Sequence, residues 1–215
     1  LPISQYFHPG EKKLAEISLK TKKEYFEKGI IREDKEAGLY IYRQIKANHT
    51  YTGIICLVTT DDYIDGKIKK HELTRLDKEA KMAEYFSNVK LNGSPVLLTH
   101  PDINRLESFI KQYTDMHAPV SDLFSEDNVQ HSVWAITDGV SIKQVQQFYE
   151  QVPYLFIADG HHRSAAFSLA YGRNSGLLAY ILPANQLHID SFHRLIRDFG
   201  DLKSKHFLKI LSQHF

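Results

Sequence analysis

Five consecutive residues, Asp159, Gly160, His161, His162 and Arg163, place an acid, a glycine, two imidazoles and a guanidinium together. Gly160 allows a ligand to come close to the backbone. Arg163 can hold a phosphate through two parallel hydrogen bonds, and either histidine can donate to a phosphate oxygen or carry a proton near neutral pH. Asp159 would repel a bare phosphate, so it is better suited to Mg²⁺, a ribose hydroxyl or a loop amide. The alternative is a turn stabilised by the Asp side chain, with two surface histidines.

The flanks of this turn predict the elements that position it. Residues 154–157, which read Tyr-Leu-Phe-Ile, predict a buried strand. Residues 164–170 favour a helix, and Gly172 is expected to end it. A helix N-terminus offers free N–H groups and a partial positive charge to an anion. The pattern therefore predicts a phosphate site where the strand passes into the helix.

A second candidate segment is "KKHELTRLDKE", residues 69–79. Its His-Glu pair suggests the zinc motif H-E-x-x-H, but position 75 is Arg, so the motif is absent and no metal site is expected. Glu72 lies among cations, which would keep it ionised and able to act as a general base. The neighbouring cations are Lys69, Lys70, His71 and Arg75. From the residues alone, a solvated charge cluster at the start of a helix is the favoured interpretation.

Other reactive side chains carry weaker signals. His193 and Arg194 are expected at a solvated surface. Trp134 is expected in the core. Cys56 lies in an apolar run and is expected to be an inert buried thiol.

The remaining pattern indicates interspersed strands and helices without a regular βαβ rhythm, which favours an α+β fold. Further helices are predicted over 11–29, 75–88, around 106–113 and around 142–149, and further strands over 39–45, 53–60, 94–100, 131–137 and 177–182. Thr74 and Asp77 resemble a capping pair, and Leu76 is expected to face inward. Residues 46–52 and 121–128 are expected to be loops, and 61–66 a turn.

Composition excludes some classes of function. Lys and Arg number 27 against 26 Asp and Glu, which does not support a large nucleic-acid footprint, although a local patch stays possible. A single cysteine favours a reducing cytoplasm, and no apolar run is long enough for a membrane span. The chain begins at Leu1 and stops within an apparent helix, so we expect a piece of a longer protein. We divide it into an N-terminal helical segment, 1–38, and an α+β domain, 39–215.

Several segments resemble an uncharacterised conserved bacterial family described as SpoOJ/ParB-like. They are "IKKHELTRLDKEAK", "SPVLL", "VWAITD", "YLFIADGHHRSAA" and "LPANQLHIDSFHRLIRD". The match runs from about Leu39 to the end. More distantly, the order of "HE", "PVLL" and "IADGHHR" resembles the ParB/sulfiredoxin superfamily, including its free serine kinases. This resemblance implies a ParB/sulfiredoxin-like mixed sheet with surrounding helices.

The resemblance also implies roles for residues. In that superfamily a G-x-x-R turn at a helix N-terminus binds nucleotide phosphates, which here falls on Gly160, His161, His162 and Arg163. In the serine-kinase branch the Glu of a His-Glu pair is the base for the substrate hydroxyl, which here falls on Glu72. Sulfiredoxin has Cys in its turn where this chain has His161, so sulfiredoxin chemistry is not expected.

The expected function is therefore a nucleotide-dependent phosphotransferase acting on a small hydroxyl-bearing metabolite. Glu72, His161 and His162 are the candidate catalytic residues, and Asp159 to Arg163 are expected to hold ADP or ATP with Mg²⁺. The alternative is a ParB-like nucleotide-binding or DNA-partitioning-related module without transferase activity. A third possibility is a structural protein whose site is inactive.

Overall fold

The computed structural model describes residues 12–189 and 203–213. The helices are α1 (Lys12–Glu27), α2 (Thr60–Ile64), α3 (Leu76–Val89), α4 (Asn104–Met116), α5 (Gly139–Glu150), α6 (His161–Tyr171) and α7 (Ser204–Leu211). The strands are β1 (Leu39–Lys46), β2 (His49–Thr59), β3 (Ile68–Lys69), β4 (Val96–His100), β5 (Ser121–Phe124), β6 (Gln130–Ile136), β7 (Leu155–Asp159) and β8 (Gly176–Pro183). A 3-10 turn, Ala184–Gln186, follows β8.

All eight strands form one mixed sheet in the order β3-β7-β4-β8-β2-β1-β6-β5. The pairs β3–β7 and β4–β8 are parallel, and the other neighbouring strands are antiparallel. Seven helices accompany this sheet in the described residues. The predicted α+β class with a mixed sheet is confirmed at this level.

Two hydrophobic clusters hold the helices against the sheet. The first joins α2, α3 and α6 to β4, β7 and β8, and includes Tyr63, Phe86, Val96, Leu98, Ile157 and Phe167. The second joins α4 and α5 to β1, β2 and β6, and includes Ile41, Ile54, Leu106, Ile110, Trp134 and Val145. Trp134 is in the core as predicted, and it is 5% exposed. Strand β4 contributes to the first cluster, while its last residue, His100, stacks edge-on against Tyr149 of α5.

The hairpin β1–β2 is tighter than the sequence suggested. We predicted a loop over 46–52, but β2 begins at His49, which pairs with Lys46. Only Ala47 and Asn48 turn the chain, and Ala47 has a positive φ of 50°. The backbone pairing of residues 49–52 with β1 outweighs their polar composition, which had favoured a loop.

Two short elements replace predicted loops. Within residues 121–128, Ser121–Phe124 is strand β5, paired antiparallel with β6. Asp122 accepts hydrogen bonds from Gln130 and Ser132 of β6, at 3.0 and 2.9 Å, so polar side chains support this edge pairing. Within the predicted turn 61–66, the chain forms α2 instead, capped by the Thr59 side chain, which accepts a hydrogen bond from the Asp61 amide at 3.2 Å.

The start of α3 differs from the predicted capping pair. Arg75, not Thr74, is the N-cap residue, and no side chain caps the helix. Arg75 instead donates two hydrogen bonds to the Asp77 carboxylate, at 3.1 and 2.8 Å. The prediction that Leu76 faces inward is wrong, because its side chain is 80% exposed. Leu76 lies in the first turn of α3, before the part of the helix that packs on α6.

The strand before the turn is less buried than predicted. Ile157 is 1% exposed, but Tyr154 and Phe156 are 46% and 43% exposed. Strand β7 lies one position from the sheet edge, where the two-residue β3 is its outer neighbour. His193 and Arg194 lie outside the described residues. None of the helices described here has the length and apolar character needed to cross a lipid bilayer.

Candidate functional site

The predicted strand–turn–helix unit forms around Gly160. Strand β7 ends at Asp159, Gly160 has φ +101° and is the N-cap of α6, and His161 begins that helix. A Cβ at Gly160 would lie 2.9 Å from Val96 Cγ1 and 3.2 Å from Arg163 Nη2. Both the positive φ and this close approach to β4 require glycine here.

The N-terminus of α6 is left without a side-chain cap. The Ser164 amide donates to the Gly160 carbonyl at 2.9 Å, which closes the first helical turn. The three preceding amides, of His161, His162 and Arg163, are helix N-terminal groups that have no partner within the helix. Because glycine supplies no capping oxygen, these donors and the positive end of the helix dipole are suited to an anion.

Arg163 joins the helix to the start of β4. Its Nη1 donates to Ser94 Oγ at 2.8 Å and to the carbonyl groups of Ser94 and Pro95. Its Nη2 donates to Asp159 Oδ2 at 2.5 Å. The guanidinium is thus engaged on two sides, and its side chain is only 19% exposed. Direct binding of phosphate by Arg163 stays a prediction, and it requires exchange of the Asp159 carboxylate, which is 72% exposed.

The structure brings the His71-Glu72 segment to this turn. Glu72 Oε2 lies 3.5 Å from His161 Nδ1. The His71 amide lies 3.5 Å from His161 Nε2, and the two imidazole rings meet edge to face with centroids 4.4 Å apart. His71 and His161 are 90 positions apart in the chain, so the two candidate segments become neighbours only through the fold.

The contacts of His161 define its protonation. The side chain is 4% exposed, and burial, followed by the neighbouring His71, lowers its pKa below the ordinary histidine value. The imidazole is therefore neutral at pH 7. Its Nδ1 faces the Glu72 carboxylate and carries the hydrogen, while Nε2 faces the His71 N–H and accepts. His161 thus presents an N–H toward one oxygen of the Glu72 carboxylate, at 3.5 Å.

The cations predicted around Glu72 contact other groups. Lys69 lies over the Tyr154 ring, 4.0 Å from its centroid, and Lys70 lies 4.2 Å from that of Tyr63. Arg75 binds Asp77, as described above. Glu72 is 59% exposed, and the side chain that approaches its carboxylate is that of His161. Sequence spacing pointed to the lysines because they are adjacent in the chain, whereas the side chain that reaches Glu72 comes from α6.

His162 presents a different environment from His161. Its Nδ1 is buried and has no hydrogen-bond partner among the described residues.

The sequence gave no sign of the Ser94 and Pro95 carbonyl groups that hold Arg163. Ser94 and Pro95 come within reach of Arg163 only because they precede β4, which lies beside β7 in the sheet.

Metal binding by the protein alone receives no support in the described residues. In residues 12–189 and 203–213, no group of three or more His, Cys, Asp or Glu side chains is arranged to hold a metal ion. Mg²⁺ in phosphate sites commonly takes one or two carboxylates together with phosphate oxygens and water. Asp159 and Glu72 are the carboxylates next to the α6 N-terminus that could share such an ion.

Comparison with known proteins overturns the predicted relationship to SpoOJ/ParB proteins and to the ParB/sulfiredoxin superfamily. A family model described as a protein of unknown function, DUF1015, matches residues 8–215, and nothing in that match indicates SpoOJ/ParB. Searches of curated proteins and of solved structures gave no significant match. The resemblance to the superfamily rested on the short segments "HE", "PVLL" and "IADGHHR", and motifs of this length also occur in unrelated folds. Because the model covers nearly the whole sequence, the chain belongs to the DUF1015 family.

Proposed function

We propose that the protein is a nucleotide-dependent phosphotransferase that acts on a small hydroxyl-bearing metabolite. The observation that carries the proposal is the contact of Glu72 with His161 at the N-terminus of α6. A carboxylate held beside a set of free backbone amides combines a proton acceptor with an anion-binding position. Phosphoryl transfer to a hydroxyl needs both within a few ångströms of each other.

The amides of the first turn of α6 would bind the terminal phosphate of ATP or ADP. Backbone amides at a helix N-terminus require no side-chain movement, and they stabilise the negative charge on the phosphoryl oxygens during transfer. Asp159 is exposed beside these amides and would share Mg²⁺ with the phosphates. His162 is adjacent and would donate to a phosphate oxygen.

Glu72 would accept the proton of the substrate hydroxyl through the oxygen that does not face His161. The hydroxyl oxygen then forms a bond to the terminal phosphorus, and the bond from that phosphorus to the bridging oxygen breaks. The products are the phosphorylated metabolite and the nucleotide shortened by one phosphate. His161 acts as a positioning residue, because its Nδ1 faces the other oxygen of Glu72.

The proposal is tested by separating nucleotide binding from transfer. Glu72→Gln keeps the shape of the side chain and removes its basicity, so we expect nucleotide affinity within about threefold of wild type and turnover reduced at least about 100-fold. Binding of ATP and ADP with Mg²⁺ is measured by calorimetry, and transfer to serine, threonine, homoserine and glycerol by ³¹P NMR. Glu84→Gln, an exposed acid on α3, is the matched control.

Each outcome has a defined meaning. Equal turnover in Glu72→Gln would remove Glu72 from the mechanism. Binding without transfer to any acceptor would favour the alternative, a nucleotide-binding module without transferase activity. Absence of nucleotide binding in the wild-type protein would overturn both.

A further inference from the structure

A small polar cavity lies at the opposite end of β4 from the Gly160 turn. It has a volume of about 160 Å³ and lies between the end of β4, helices α4 and α5, and the hairpin β1–β2. Its polar lining consists of Arg43, Thr52, His100, Glu107, Lys111, Tyr149 and Gln186. Five residues of β4 separate the two ends by roughly 13 Å, so this cavity is distinct from the site beside Glu72.

Three polar atoms in this lining are buried without a partner. They are His100 Nε2, Glu107 Oε1 and the Tyr149 hydroxyl, and none has a hydrogen bond from the described residues. His100 is 1% exposed. Folded proteins satisfy the large majority of buried polar atoms, because an unpaired one loses its bonds to water without replacement. Three such atoms around one cavity are groups that a polar molecule bound there, water or a ligand, can satisfy.

The state of each atom defines what the guest must offer. His100 Nδ1 lies 2.7 Å from the Pro101 carbonyl, which can only accept, so Nδ1 carries the hydrogen and Nε2 is an acceptor. Burial lowers the pKa of His100 and keeps it neutral. Glu107 Oε1 is also an acceptor. Burial raises the pKa of Tyr149, so its hydroxyl remains protonated and can donate.

Other residues of the lining present cationic and amide donors. Arg43 Nε donates to Thr52 Oγ1 and its Nη2 to Thr114 Oγ1, both at 3.2 Å, while Nη1 has no hydrogen-bond partner in the described part of the chain. Gln186 Oε1 accepts from the Thr52 amide at 2.5 Å, which leaves its NH₂ group as a donor. The lining therefore supplies both acceptors, at His100 and Glu107, and donors, at Arg43, Gln186 and Tyr149.

We propose that this cavity binds a small zwitterion, an α-amino acid or an amino-carboxylate of similar size. Its ammonium group would donate to Glu107 and His100, and its carboxylate would accept from Arg43, Gln186 and Tyr149. The inference is independent of phosphoryl transfer, because it uses none of the residues around Glu72.

Size and charge favour this class over others. The volume corresponds to roughly five water molecules at liquid density, which suits a small metabolite and is well below the 300 Å³ or more of drug-sized and cofactor pockets. A simple anion would leave Glu107 unpaired and repelled, and a simple cation would face Arg43. Lys111 already has an ionic partner, Asp115, at 2.6 Å. The negative charge of Glu107 and the positive charge of Arg43 therefore balance each other in the cavity lining.

The test is calorimetry on the full chain with the twenty standard amino acids, and with propionate and ethylamine as probes that carry one charge each. At least one amino acid is expected to bind at least about tenfold more tightly than either single-charge probe. Glu107→Gln and Arg43→Met should each weaken that binding at least about tenfold. Glu72→Gln should leave it unchanged, which separates this inference from the proposed transferase site.

A second readout does not depend on the variants folding. In the wild-type protein, the ¹⁵N shift of His100 Nε2 is expected to move on titration with the bound amino acid, because a bare acceptor gains a charged donor. No binding at millimolar concentration, equal binding of propionate, or binding that Glu107→Gln does not weaken would each overturn the proposal.

Discussion

The two ends of β4 carry polar groups in opposite states. At the first end, Arg163 is bonded to Ser94, Pro95 and Asp159, and the neighbouring carboxylates are mostly exposed. At the last end, His100 is buried and its Nε2 has no partner in the described residues. At the first end the side chain of Arg163 binds neighbouring groups, whereas at the last end buried polar atoms have no partner among the described residues.

This difference shows why a motif and a site are separate observations. The Gly160 turn stands out in the sequence because its residues are adjacent, yet much of its chemistry is used to hold the turn together. The His100 cavity is assembled from strands and helices that are far apart in the chain, so no local pattern announces it. Burial without hydrogen-bond partners is the signal there, and it exists only in three dimensions.

The largest expected effect on stability comes from replacing Gly160, which lies beside the first end of β4. Gly160→Ala forces a side chain into φ +101° and places Cβ 2.9 Å from Val96 Cγ1. We expect the free energy of unfolding to fall by about 3 kcal/mol. Urea denaturation measures it, and Gly139→Ala, where a Cβ meets nothing within 4 Å, should change it by less than about 0.5 kcal/mol. A small loss in Gly160→Ala would show that the turn can relax, and would weaken the case for a fixed set of amides.

Arg163 should show the next largest effect. Arg163→Met keeps much of the aliphatic stem but removes the bonds to Ser94, Pro95 and Asp159, and we expect a loss of about 2 kcal/mol by the same measurement. Arg75→Met is the control, since its bidentate pair with Asp77 is largely exposed and should contribute less than about 1 kcal/mol. Equal small losses in both variants would mean that Arg163 is free to serve a ligand.

Much of the fold followed from local pattern. Amphipathic spacing in α4 placed Leu106 and Ile110, and both are buried. Strand β8 formed where predicted, and the chain passes from β7 into α6 as expected, but α6 begins at His161 rather than at 164. Gly172 ends α6 with a positive φ of 67°. The strands that sequence missed, β3 and β5, are two and four residues long, and the missed helix α2 has five residues. Such short strands are defined by the neighbour they pair with rather than by their own residues.

The candidate site also has a part that the sequence predicted and a part that it did not. The turn from Asp159 to Arg163 was recognisable because its members are consecutive. The approach of Glu72 to His161 was not predictable from spacing, because the loop before α3 and the start of α6 meet only when both helices pack together. Arg75 and Leu76 were assigned wrongly for a related reason, since the boundary of α3 differs by one residue from the predicted cap.

Acidification should lower the free energy of unfolding through two histidines, His161 and His100, which lie near the two ends of β4. The pKa values of His100 and His161 are lowered, chiefly by burial, so the unfolded chain binds protons at a higher pH than the folded one. Stability therefore falls as the pH decreases below the ordinary histidine value of 6.5, and it is fully retained above that value. Unfolding measured between pH 7.5 and 5 should show this slope, with a smaller total change than that of Arg163→Met. His161→Gln should reduce the slope, and an unchanged slope in that variant would contradict a neutral His161.

The smallest expected effect comes from removing the hydroxyl of Tyr149, which has no partner among the described residues, and it is compared with removal of the hydrogen-bonded hydroxyl of Tyr113. In the ligand-free protein, Tyr149→Phe removes a buried hydroxyl without a described partner, so the free energy of unfolding should stay unchanged or rise by up to about 1 kcal/mol. Tyr113→Phe removes a hydroxyl that donates to the Ala135 carbonyl at 2.8 Å, and it should lower stability by about 1 kcal/mol. Both residues lie on the helices that pack against the same hydrophobic cluster. Should Tyr149→Phe lose as much stability as Tyr113→Phe, its hydroxyl would already be satisfied, and the cavity beside His100 would lose one of the three groups that call for a guest.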